Sequence, residues 1–176
     1  MSFMQKSLHR ADGRFGCGRS LSSVALVALF ALAAAGSARG AERENVIHLT
    51  QTPCQFLETE SVDHQFKSNA GADCEAINAK TGAERLAKAK VITLKPGKYV
   101  FRVTNKNVPY ELGFWLRSQG YDWRNPLHKL NKTSVSGGGL KTGDTKDYAV
   151  ELKPGEYEYS CPLNPTPDYR LVVTAG

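Results

Sequence analysis

Methionine is all but missing from this 176-residue chain, whose two copies are Met1 and Met4. No thioether is therefore on hand further along as a soft metal ligand or as a filler of binding surfaces. Long apolar runs are missing too. The run LSSVALVALFALAAAG, residues 21–36, is uncharged but falls short of the roughly 20 residues that span a bilayer. No Ser-His-Asp ordering and no paired-cysteine zinc spacing occurs, so neither acyl-transfer chemistry nor a zinc module is indicated. The stretch SGGGLKTG, residues 136–143, is rich in glycine. It lacks the following helix of a phosphate-binding loop and reads as a flexible hairpin connection. A basic stripe with interleaved aromatics is also absent, which argues against nucleic acid as a partner.

What is present at the N-terminus accounts for most of the net charge of +6. Residues 1–40 hold Lys6, Arg10, Arg14, Arg19 and Arg39 against one anion, Asp12, leaving only about +2 for the rest. Cations, then a short apolar run, then small residues is the order of a secretory leader. The expectation is a signal peptide over 1–40, cleaved after Ala38 or Gly40, and one exported domain over 41–176 that is not inserted in a membrane. An uncleaved anchor is the other reading of the same run. Cleavage leaves Cys54, Cys74 and Cys161 in an oxidising compartment. Three is an odd number, so one sulfur is left over or takes part in something else.

Along 41–176 the hydrophobic period is mostly two. Strands are predicted at 45–50, 90–94, 98–105, 110–117, 144–152, 156–160 and 169–175. Residues 75–89 read as a helix weakened by Gly82, and 58–74 and 118–139 as irregular. The phrase LKPG occurs twice, at 94–97 and 152–155, each time followed by a charged residue and Tyr. Proline fixes φ and glycine accepts positive φ, so both copies predict a turn feeding a strand. In the second strand Tyr157, Tyr159 and Cys161 share the inward face, while Glu156, Glu158 and Ser160 face out. The expected fold is an all-β, antiparallel Greek-key sandwich with a short helical insertion.

The end of the chain, EYEYSCPLNPTPDYRLVV, with the earlier VTNKNVPYELGF, resembles the cupredoxins. The resemblance covers roughly residues 88–176 and implies a cupredoxin-like sandwich. In that family a late loop carries Cys, His and usually Met to a type 1 copper, and an earlier His completes the site. Here Tyr110 stands at the earlier His position, Asn164 at the late His and Pro167 near the Met, so an ordinary blue copper centre is not expected. The chain is more similar to the EfeO-type cupredoxin-like group, exported domains that accompany bacterial iron permeases. That resemblance rests on Cys54 after the first strand, Glu111 after the Asn-x-Asn turn, and Cys161. It implies a periplasmic protein binding copper or iron at a site without the type 1 ligand set, and assisting ferrous iron uptake beside a membrane iron permease or its periplasmic partner proteins. The metal would help to oxidise ferrous iron or hand it over.

The site residues that follow are Cys161 as anchoring thiolate, Cys54 as a second sulfur and Glu111 as a hard oxygen ligand. His64, in an acidic stretch with Glu58, Glu60 and Asp63, is a weaker candidate. By strand period Glu111 faces away from Tyr110, Leu112 and Phe114, so it reaches the site only across a bulge. Two disulfides compete with this reading. Cys54–Cys74 closes a loop of about 20 residues, worth roughly 3 kcal/mol in the chain-entropy model, and leaves Cys161 a lone thiol. Cys54–Cys161 would consume both proposed sulfur ligands. The second functional reading is a metal-free binding module stapled by Cys54–Cys74, docking through the 115–131 loop with its aromatics Trp115, Tyr121 and Trp123. His48 and His128 read as surface residues.

Overall fold

The two LKPG phrases fold into one repeated device. In both, glycine sits at a φ that only glycine adopts readily, 154° at Gly97 and 153° at Gly155. Each following tyrosine then curls back. Tyr99 Oη donates to the Lys95 carbonyl at 2.8 Å, and Tyr157 Oη donates to the Lys153 carbonyl, also at 2.8 Å. The turn chemistry thus starts a strand in each sheet and buries a tyrosine ring at its entry.

The structure is a computed structural model and describes residues 45–122, 124–129 and 134–175. The leader expected over 1–40, Trp123 and part of the 118–134 loop lie outside the described residues. The elements run β1 (Asn45–Thr52), β2 (Gln55–Phe56), α1 (Leu57–Glu60), α2 (Gly71–Lys88), β3 (Ile92–Leu94), β4 (Gly97–Asn105), β5 (Leu112–Ser118), α3 (Pro126–Lys129), β6 (Val135–Leu140), β7 (Thr145–Leu152), β8 (Gly155–Ser160) and β9 (Tyr169–Val173). They form a four-stranded sheet in the order β2-β1-β4-β7 and a five-stranded sheet in the order β3-β9-β8-β5-β6. This is an all-β, cupredoxin-like sandwich. Most pairings are antiparallel, but β1–β4 and β3–β9 are parallel, because the chain crosses between sheets before returning.

The core lies between the sheets. Leu49, Phe101, Val103, Tyr148 and Val150 come from one, and Leu112, Phe114, Leu116, Tyr159 and Leu171 from the other. Phe114 stacks on Phe101 at 5.5 Å and Phe56 meets Tyr159 edge-on at 5.7 Å, geometries that aromatic quadrupoles favour.

Both segments read as irregular, 58–74 and 118–139, hold regular structure: α1 and the start of α2 in the first, α3 and β6 in the second. The helix starts at Gly71 rather than residue 75, because Asp73 Oδ2 accepts the Asn69 and Ala70 amides at 2.8 and 3.1 Å and caps it. Gly137–Gly139 are not a flexible connection but part of β6, paired with β5. Their glycines serve close approach: a Cβ on Gly113 would stand 2.7 Å from the Gly137 carbonyl oxygen, and one on Gly137 would stand 3.1 Å from the Tyr148 ring.

Candidate functional site: a buried polar network around Asn164

Strand alternation along β8 carries Cys161 out of the sandwich on its inward side, 1 % exposed. Its Sγ accepts the Gly113 amide at 3.4 Å and the Asn164 amide at 3.2 Å. Burial pushes the thiol pKa up, and these amide hydrogen bonds only partly oppose it. Cys161 is therefore held as a protonated, sheltered thiol, which is poorly nucleophilic.

Asn164 sits at the centre of the arrangement and is fully buried. Its Oδ1 accepts the Cys54 amide at 2.9 Å and the Tyr110 hydroxyl at 3.1 Å. Its Nδ2 donates to the Thr52 carbonyl at 3.0 Å and lies 3.4 Å from Gln51 Oε1. Gln51 in turn donates to the Gly113 carbonyl at 2.8 Å. Tyr110 shares a second hydrogen bond with Ser68 at 2.6 Å, and burial raises its pKa. Thus Tyr110 and Asn164, which the cupredoxin resemblance aligns with imidazole ligands, are bonded to each other. A buried amide with both ends satisfied is a structural centre rather than a vacant ligand.

The cysteines divide as one of the competing disulfide readings expects. Cys54 and Cys74 are joined, with S–S 2.10 Å and Cα–Cα 5.0 Å, and both are fully buried. The Cys54–Cys161 pairing is not formed, and Cys161 is a free, buried thiol. Cys54 thus has no thiolate to offer beside Cys161 while the disulfide stands. Glu111 is exposed, and its Oε1 accepts the Gly139 amide at 2.8 Å. It pins the edge of β6 instead of turning toward the sulfur, although the β5–β6 register does shift between Leu112 and Phe114. His64 is elsewhere: its Nε2 lies 2.8 Å from Glu60, and its ring stacks on Phe66 at 5.1 Å. His48 is exposed on β1, and His128 Nδ1 accepts the Asp122 amide at 2.9 Å. No group of three or more His, Cys, Asp and Glu side chains placed to hold a metal ion occurs among the described residues. The residues proposed for copper or iron do not fit one together in this arrangement.

The solved structure of auracyanin B matches 74 % of this chain and 89 % of its own length, with a TM-score of 0.45 and 13 % sequence identity. No family model matches the chain, and no curated protein matches it. The two-sheet, all-β sandwich is carried by the chain's own strand order. No helix among the described residues is long and apolar enough to cross a membrane.

Sequence reasoning missed the knot under α2. Glu60, whose side chain is 2 % exposed, receives Arg85 at 2.9 and 2.6 Å and also the Tyr169 hydroxyl. Arg85 further donates to the Cys54 carbonyl at 2.7 Å and to Asn78 Oδ1 at 2.7 Å. A signal was present: Cys74, Asn78 and Arg85 lie on one helical stripe, at successive spacings of four and seven residues. Next to the Cys161 end, a groove of about 450 Å³ is lined by Trp115, Tyr121, Gly137, Gly138, Pro162 and Leu163. Trp115 meets Tyr121 edge-on at 6.1 Å, and the Arg117 guanidinium lies over its ring at 4.1 Å.

Proposed function

We propose that the chain is an exported, metal-free binding module of cupredoxin-like fold, held in its working shape by the Cys54–Cys74 disulfide. One observation carries this reading: Asn164 bonds at once to Tyr110, the Cys54 amide and the Thr52 carbonyl, filling the place where imidazole ligands would converge. Two of the three main metal-ligand candidates are engaged otherwise, Cys54 in the disulfide and Glu111 on Gly139. The leader-like residues 1–40 support export, and the EfeO-type resemblance supports a periplasmic place beside an iron permease or its partner proteins. The contact face in this reading is the groove of Trp115, Tyr121 and Leu163, since aromatic and aliphatic groups at a rimmed groove suit protein docking.

The test is anaerobic titration of the processed chain with Cu(I), Cu(II) and Fe(II), with thiols counted in denaturant. The expected result is one thiol, Cys161, and no stoichiometric binding. Stoichiometric binding that is lost in Cys161→Ser would restore the copper or iron reading, with its role in ferrous iron uptake, and overturn this one.

A further inference from the structure

The helix that packs on the loop after Cys161 is attached in an uncommon way. No residue of α2 belongs to the hydrophobic core cluster. Its inward stripe is Cys74, Asn78, Gly82 and Arg85, which offers sulfur and polar groups where an amphipathic helix normally offers leucine. What the stripe touches is the loop after β8. Asn78 Nδ2 donates to the Pro165 carbonyl at 2.7 Å, and Cys74 Sγ lies 3.2 Å from Asn164 Oδ1. The backbone packs closely there as well: a Cβ on Gly71 would stand 3.3 Å from the Pro165 ring, and one on Gly82 would stand 3.9 Å from the Pro167 ring. Attachment is divided between the two halves of the helix. The Arg85–Glu60 pair anchors the C-terminal half, and the disulfide anchors the N-terminal half. That N-terminal half meets Asn164 through Cys74, and the Asn164 amide in turn donates to the Cys161 sulfur.

We propose that Cys54–Cys74 is a redox latch on this cap: reduction frees the N-terminal half of α2, which pivots about Arg85 and uncovers the 162–167 loop and the Cys161 thiol. The reductant is a dithiol. Its two sulfurs are oxidised to a disulfide, the Cys54–Cys74 bond breaks, and two electrons and two protons leave two thiols on the chain. The sandwich does not depend on the latch, because its core is built from strands that α2 does not join. A helix tied by a bridge and a few polar contacts is a unit of low local stability, so it opens before the sheets do. The latch goes beyond the binding-module role and requires only the disulfide, which the thiol count tests separately.

The experiment uses the whole exported chain, oxidised or treated with dithiothreitol, and the Cys54→Ser/Cys74→Ser double variant. Iodoacetamide labelling of Cys161 is followed by mass spectrometry of its peptide, alongside hydrogen exchange of α2, β4 and β7. Expected are labelling and α2 exchange at least about tenfold faster in the reduced and variant forms, with β4 and β7 protected as before. Reoxidation should reverse the change in the wild-type chain. Unchanged Cys161 labelling would overturn the proposal. So would loss of protection in β4 and β7 together with α2, or a variant that fails to fold, since the bridge would then hold the whole domain and not a cap.

Discussion

Among single residues, Asn164 has a role that its neighbours in sequence do not reveal. Removing its amide leaves the buried Cys54 amide and Thr52 carbonyl without their partner. Asn164→Ala is therefore expected to cost roughly 2–4 kcal/mol, the desolvation of two or more orphaned groups. Urea denaturation measures this, and a loss under about 1 kcal/mol would mean that the amide is not the centre of the network. The sequence shows Asn164 three residues after Cys161, where a copper protein would have imidazole. It does not show that Thr52, Cys54 and Tyr110 meet it, because they arrive from separate segments far apart along the chain.

Between elements, the glycines of β5 and β6 set how closely two strands lie. Gly113→Ala places a Cβ 2.7 Å from a backbone oxygen of Gly137, which cannot swing away as a flexible side chain would. A destabilisation of about 1–3 kcal/mol is expected, as for other overpacked sites. An unchanged denaturation midpoint would show that β6 can slide to make room. Here the sequence misled: Ser-Gly-Gly-Gly has low strand propensity and reads as a loop. Contact with Tyr148 and the Glu111 bond to Gly139 outweigh that propensity. The LKPG turns were legible for the opposite reason, since proline and glycine act on their own φ angles and need no distant partner.

Across the molecule as a whole, buried phenols and one thiol govern the alkaline limit. Burial raises the pKa of Tyr148, Tyr159, Tyr169 and Cys161 above their ordinary values. In the unfolded chain the thiol ionises near about pH 8.5 and the phenols near about pH 10. Above those values the unfolded state binds fewer protons than the native one, so stability falls as pH rises. It should be complete below about pH 8, begin to fall as the thiol ionises, and fall more steeply beyond about pH 10. Urea midpoints compared at neutral pH and near pH 10.5 check this, and a midpoint that holds or rises would contradict it.

Residue order alone was enough for most of the strand pattern though not for β6, and for the two proline–glycine turns, the inward face of Cys161 and the loss of the histidines that a type 1 copper needs. All of these follow from local period, backbone limits or the absence of a residue type. The cysteines stayed open among a metal site and two disulfides, because pairing depends on which sulfurs the fold brings within bonding distance. It took the folded chain to join Cys54 to Cys74, to turn Glu111 to Gly139 and to bring Arg85 onto Glu60. Each of those contacts joins segments by a geometry that no local pattern encodes. Together they turn what resembles a metal loop into a buried polar network beside a disulfide-tied helix.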